Sequence, residues 1–382
     1  MVTPPPPGSP FEVLTPEQLR SRSSLKWSHF GPDVIPAWVA EMDLMPPPEV
    51  IDALTRAIRA GDTGYPGSGE FAYAEALAEF AASHWGWTVD VASSTVCADA
   101  MSGIGAVLAT SLPREAPVVI PTPVYPPFTL FSHESGRRVV PTALTDRGRL
   151  DLDGIDAALA RERAFLLLCS PHNPTGVVHT EEELRAVAEI AERHNATVIV
   201  DEVHGPLVHG PTPFVPWLAI ADHGFVITSA AKGFNLAGLK AAVILAAPAE
   251  RGRLGQLPKA TRYGASHLGI VGHSAAYRSG PSWLEDVNAA IAANASRLGE
   301  RLAERLPGAT MLRPEATYLA WVDVRALGLR SDPADLFLER GRVAVNSGAT
   351  FGRGGQGHVR VNVACSAAVL DEVVTRMAAA VT

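Results

Sequence analysis

The chain has 382 residues, 47% of them hydrophobic and 19% charged, with 40 acidic against 32 basic side chains and a formal charge of −8. That length supports a substantial core and more than one domain, and the balance is that of an ordinary globular chain with little room for long disorder. The acidic excess disfavours nucleic acid and acidic membrane surfaces as partners, and no apolar run approaches the ~18 residues of a membrane span.

Met1 to Pro10 is neither basic nor apolar, which excludes a signal peptide and predicts a frayed, polyproline-like tail. Cys97, Cys169 and Cys365 are far apart, with no zinc or disulfide spacing, and predict buried free thiols in a cytoplasmic compartment. Lys26–Ser28 and Pro36–Asp43 mix aromatic, charged and apolar residues without a period. They suit an arm packed on the body and an arm lining a site equally well.

Pro46–Pro48 opens a helix to about Ala60. Gly64–Gly69 is a loop and Glu70–Trp85 a helix. Ser94–Ala100 leads into Met101–Gly105 and an apolar helix to about Leu112. Small residues at such an entrance let backbone amides face an anion; close helix packing is the alternative. Val118–Pro121, Arg138–Thr142 and Phe165–Cys169 read as strands, the last running into Ser170–Gly176. Thr180 and Glu183 form a capping box for a helix whose Leu184, Val187, Ala188 and Ala191 share one face.

Thr197–Val200 and Phe225–Thr228 are short β-branched runs with the composition of buried strands. Asp201, Glu202 and His204 follow the first, Ser229 and Lys232 the second. In open α/β sheets ligands bind at this carboxyl edge, and an acid and a lysine delivered there suit an organic cofactor held as a Schiff base. Ala241–Ala246 is a further strand. The alternation implies a mostly parallel sheet with helices on both faces. Beyond about Ser274 an Ala-rich helix (Trp283–Leu306), strands at Tyr318–Val324, Val343–Asn346 and His358–Val363, and the glycine-rich Gly348–Gly357 form a smaller α+β unit. The expected division is an arm over 1–48, a large domain over 49–275 and a small domain over 276–382.

Rival motifs lack their companions. Asp201-Glu202-Val203-His204 resembles a helicase-type magnesium motif, but the chain has no Gly-Lys pair to make a phosphate loop. Ser229-x-x-Lys232 has neither S-D-N nor K-T-G beside it. The glycines at 352, 354, 355 and 357 precede a strand, unlike a dinucleotide fingerprint. No histidine or acid spacing suggests a metal.

The set Ser170–Gly176, Asp201–His204 and Ser229–Lys232 resembles the fold-type I pyridoxal-phosphate (PLP) enzymes of the aminotransferase class I/II superfamily. Trp38–Asp43, Lys232–Leu239, Gly348-x-x-Phe351-Gly352 and Arg360-x-Asn362 are similar to its cystathionine β-lyase and C–S lyase branch, typified by MalY and PatB. The resemblance implies a mostly parallel seven-stranded sheet in the large domain, with a smaller α+β domain.

It also implies roles. Lys232 would carry the cofactor and act as the base at Cα; Asp201 would pair with the pyridine nitrogen; Tyr125 would stack on the ring. Asn173 would bond the phenolic oxygen, with His204 nearby. Ser229, Lys240 and the amides near Ser102 and Gly103 would bind phosphate, with Tyr65 reaching it from the neighbouring subunit of a homodimer. Arg360 would clamp the substrate carboxylate, and the arm at Trp38, Ala40 and Glu41 would line the entrance. Glu41, Leu44 and Gly233 depart from the family's usual Asp, Phe and Thr.

The implied activity is α,β-elimination of cystathionine or cysteine S-conjugates to a thiol, pyruvate and ammonia. An aminotransferase using the same residues and a PLP-binding regulatory protein with vestigial catalysis are the alternatives.

Overall fold

The computed structural model describes residues 3–6, 8–67 and 69–382. Met1, Val2 and Pro7 of the expected tail, and Ser68 of the expected loop, lie outside the described residues.

Seven strands form the large sheet: β1 (Ser94–Cys97), β2 (Val118–Thr122), β3 (Val139–Ala143), β4 (Phe165–Cys169), β5 (Thr197–Asp201), β6 (Phe225–Thr228) and β7 (Ala242–Ala246). Their spatial order is β1-β7-β6-β5-β4-β2-β3. Neighbours from β6 to β3 are parallel, while β7 runs antiparallel to both β1 and β6. All five residues of β4 and of β5 are buried. Leu166 and Leu168 enter one apolar cluster and Phe165, Leu167 and Cys169 the other, so both faces are covered. A strand covered on both sides needs no polar alternation, which is why these runs read as continuously apolar. The strands expected for this sheet hold within a residue or two, and β1 occupies the segment read only as a lead-in to a helix; in the smaller unit the run expected over Val343–Asn346 divides into Val343–Ala344 and Asn346–Ser347, which pair in different sheets.

The helix Glu181–Arg193 starts where its capping box requires. Thr180 Oγ1 accepts from the Glu183 amide at 3.2 Å and Glu183 Oε2 from the Thr180 amide at 2.8 Å. Its Leu184, Val187, Ala188 and Ala191 are buried against the sheet's apolar layer. The helices expected over Glu70–Trp85 and Trp283–Leu306 span Gly69–His84 and Pro281–Arg305.

A second, antiparallel sheet has the order Asn346–Ser347, His358–Asn362, Leu319–Asp323, Thr310–Met311. In it Trp321 faces Arg360 across the ladder. The N-terminal arm is stitched to this part of the chain, because Ile35–Pro36 pairs in parallel with Val343–Ala344. The buried Lys26 Nζ meets Asp43 at 3.0 Å, and Trp27 Nε1 donates to the same carboxylate at 2.7 Å.

The tail departs from expectation. Thr3 bonds Glu300 through both its amide and its hydroxyl, and Arg297 donates to the Thr3 carbonyl at 2.7 Å. Two charged side chains of the Pro281–Arg305 helix thus tie down a segment whose composition alone suggests fraying.

Candidate active site

A cavity of about 320 Å³ opens at the carboxyl ends of β4, β5 and β6. Asn173 reaches it from the loop after β4, Asp201 and His204 from the end of β5, and Ser229 and Lys232 from the turn after β6. Tyr125, Lys240 and Ala40 of the arm complete the expected residues on its wall. Lys232 Nζ donates to the Ala40 carbonyl at 3.3 Å.

Electrostatics sharpens the group. Burial pushes the Asp201 carboxyl up to about 7 against the opposing Val203 amide and Lys232 charge. Burial and the Arg360 charge bring the Lys232 amine down to about 8, with Asp201 pulling the other way. Burial, then the charges of Lys232 and Arg360, hold the His204 imidazole near 3, so this ring is neutral at ordinary pH. An amine that changes charge near neutrality is suited to covalent and base chemistry.

Arg360 stands behind Asn173. Its Nη1 donates to Asn173 Oδ1 at 3.0 Å, and its Nη2 to the Trp38 carbonyl at 3.0 Å and to Asn346 Oδ1 at 2.7 Å. All three partners are neutral, and the guanidinium has no acidic partner among the described residues although the residue is only 5% exposed. The Phe351 ring lies 5.1 Å from it.

The arm enters through its backbone more than its side chains. Asn362 Nδ2 donates to the Val39 and Glu41 carbonyls, each at 2.7 Å, and the Tyr318 hydroxyl to the Ala40 carbonyl at 2.9 Å. Asn235 grips Met42 from both sides, at 2.9 and 3.0 Å. Trp38 packs its ring on His29 and Phe30 and leaves only Ala40 on the cavity wall.

Ser102, Gly103 and Tyr65, expected near the phosphate, do not line this cavity. The Ser102 amide is bonded to Asp99 Oδ1 at 2.8 Å and the Gly103 amide to the Asp99 carbonyl at 3.0 Å. A Cβ on Gly103 would stand 3.0 Å from Cys97 Sγ and 3.2 Å from Ile244, so this glycine serves helix–sheet packing. The residues at the helix entrance that line the cavity are Asp99, Ala100 and Met101. Tyr65 lies off the cavity of its own chain and is 92% exposed.

Sequence reading also passed over His273, which lines the cavity from the His267–Ser279 helix. Its Nδ1 lies 3.0 Å from the Tyr73 hydroxyl and 3.4 Å from Ser229 Oγ, and burial keeps it neutral with a pKa near 4. No local pattern marks it, since its partners are 44 and 200 residues away. Asp99 did carry a signal: Asp99-x-x-Ser102 is a reciprocal cap, with the Asp99 amide donating to Ser102 Oγ at 3.0 Å.

This donor set fits pyridoxal phosphate. It pairs an amine of lowered pKa with a buried carboxyl on one cavity, and a helix entrance, a serine and a lysine provide for an anion at the same wall.

Comparison with known proteins places the chain. The family described as aminotransferase class I and II matches residues 34–377. The chain belongs to this family. A Mycobacterium tuberculosis relative, provisionally named a cystathionine β-lyase, is 44% identical, with 97% of each chain covered. Cystathionine β-lyase PatB of Bacillus subtilis is 30% identical, covering 95% of this chain and 98% of its own. A solved Corynebacterium diphtheriae structure, provisionally described as a PLP-dependent β-cystathionase, matches with a TM-score of 0.92 and 34% identity, covering 96% of this chain and 98% of that one. Within the aminotransferase class I and II family, these relatives are those of the branch expected from Trp38–Asp43 and Arg360-x-Asn362.

Proposed function

We propose that this chain is a PLP-dependent carbon–sulfur lyase of the cystathionine β-lyase type, releasing thiol, pyruvate and ammonia from cystathionine or related cysteine S-conjugates. The observation that carries the reading is Arg360: buried, held by three neutral oxygens, and bonded to Asn173 on the wall of the cavity that contains Lys232 and Asp201. A buried guanidinium lacking a counter-charge is costly, and a substrate carboxylate relieves that cost through a planar two-point contact. The names of the M. tuberculosis and B. subtilis relatives support the reaction type.

When bound, pyridoxal phosphate supplies an electron sink for negative charge at the substrate Cα. Lys232 would carry it, Asp201 would face its ring nitrogen, and Tyr125 its ring face. Asn173 has spent Oδ1 on Arg360, which leaves its Nδ2 to donate to the phenolic oxygen. Ser229, Lys240 and the helix entrance at Ala100 and Met101 would take the phosphate. Arg360 would fix the substrate carboxylate, and Lys232, once the substrate's own amine has freed it, would take the Cα proton, as its pKa near 8 allows. The Cα electron pair would then form the Cα–Cβ double bond as thiolate leaves from Cβ, and hydrolysis by water would give pyruvate and ammonia.

A homodimer in which Tyr65 of each copy reaches the other's phosphate site is supported by its exposure and its distance from its own cavity. Three buried free cysteines suit a reducing cytoplasm, and no helix among the described residues is long and apolar enough to cross a membrane.

Incubation with L-cystathionine and no keto acid tests the reading. Pyruvate and free thiol formed over many turnovers support the lyase; a single stoichiometric half-reaction makes the chain an aminotransferase.

A further inference from the structure

Two lysines line the cavity, and they are differently placed. Lys232 faces a neutral carbonyl, whereas Lys240 already has an anion: its Nζ lies 2.8 Å from Asp99 Oδ2. Asp99 is the N-cap of the Ala100–Thr110 helix, at the wall where the helix entrance faces the cavity. Burial pushes its carboxyl up, but the bonds from Lys240 and the Ser102 amide outweigh that and hold it below the ordinary value. It is therefore a carboxylate at neutral pH. His273, the nearby titratable group on this wall, is neutral and adds no positive charge.

A phosphate monoester brings close to two negative charges, and here it meets a cation that already has an anionic partner. We propose that Asp99 competes with the cofactor phosphate for Lys240, so that loading the cofactor exchanges one anion for another at a single ammonium. This inference rests on the reading that the phosphate lies at Lys240. The two side chains are 55% and 40% exposed, so their pair opens at little cost and the exchange is reversible. The carboxylate cannot leave with the cofactor's arrival, because its Oδ1 is bonded to the Ser102 amide. It stays as a fixed negative charge beside the phosphate, and a chain built this way releases its cofactor more readily than one with a neutral cap.

Asp99→Asn isolates the effect, since asparagine caps a helix as well as aspartate does and differs in charge. The apoprotein is titrated with pyridoxal phosphate, and separately with pyridoxal, following the visible absorbance; apoprotein melting temperatures check the fold. The expected result is that Asp99→Asn binds pyridoxal phosphate about three- to tenfold more tightly, with the gain shrinking at high salt and absent for pyridoxal. An unchanged or weaker affinity overturns the proposal, and so does an equal gain for pyridoxal. Lys240→Met tests the underlying reading separately. If it weakens pyridoxal phosphate but not pyridoxal, the phosphate lies at Lys240 and the Asp99→Asn result stands on its own. If it changes neither, the phosphate reading fails whatever Asp99→Asn does.

Discussion

Arg360 Nη1 donates to Asn173 Oδ1 at 3.0 Å, and this bond joins the small antiparallel sheet to the loop at the carboxyl end of β4. The residue proposed to hold the substrate and the residue proposed to hold the cofactor ring therefore share an atom contact. Movement of one sheet relative to the other changes both at once.

Arg360→Lys follows from that geometry. A lysine keeps the charge but cannot bond Asn173, the Trp38 carbonyl and Asn346 together while presenting a planar fork. The expected loss is about 100-fold in kcat/KM, mostly through KM. Steady-state kinetics on L-cystathionine read it, and a loss confined to kcat would assign Arg360 elsewhere.

The buried Asp201 sets a pH dependence in the apoprotein. Its pKa, about 7 when folded against 3.8 ordinarily, means that the folded chain binds more protons than the unfolded one between those values. Its contribution to stability is therefore present at low pH and lost as pH rises from about 4 to 7. Relative to wild type, apo Asp201→Asn gains stability across that window, by about 4 kcal/mol at most. Apoprotein melting temperatures from pH 4 to 8 measure it; two parallel curves would contradict it.

Gly103→Ala tests the packing role given to that glycine. The new methyl meets Cys97 Sγ at 3.0 Å and Ile227 at 3.3 Å, both buried residues of the sheet. A destabilisation of about 1–3 kcal/mol is expected, with cofactor affinity little changed. Denaturant unfolding and a cofactor titration separate the two effects.

The Lys26–Asp43 pair holds the arm behind Ala40, with both side chains only 2% exposed. Lys26→Met strands a buried carboxylate and costs about 3–5 kcal/mol. The double variant Lys26→Met/Asp43→Asn removes that charge and regains part of the loss. Urea unfolding of the three proteins decides it; equal stability of the single and double variants would show that the charge is not the cause.

What the sequence discloses depends on range. The β4–β6 strands, the Thr180 cap and the Asp201–Lys232 pair lie in short segments with period and punctuation of their own, and the structure keeps them within a residue or two. Asn173 and Lys240, which the resemblance singled out, line the cavity with them. Contacts made across the chain left no local trace. Tyr318 is 278 residues from the Ala40 carbonyl it holds, and His273 is 200 from Tyr73. Small residues at Ser102 and Gly103 suit an anion cradle and close packing alike, because both demand the same composition. Only the positions of Cys97, Ile227 and Ile244 around Gly103 separate the two.

Borohydride reduction of the cofactor-loaded protein, followed by peptide mapping, tests the central claim most directly. Two lysines line the cavity: Lys232, with a pKa near 8 and within reach of the Asp201 charge, and Lys240, which is paired with Asp99. The reduced cofactor is expected on the peptide containing Lys232, and Lys232→Ala should lose both the label and the visible absorbance. A label on Lys240, or one that persists in Lys232→Ala, would contradict the account.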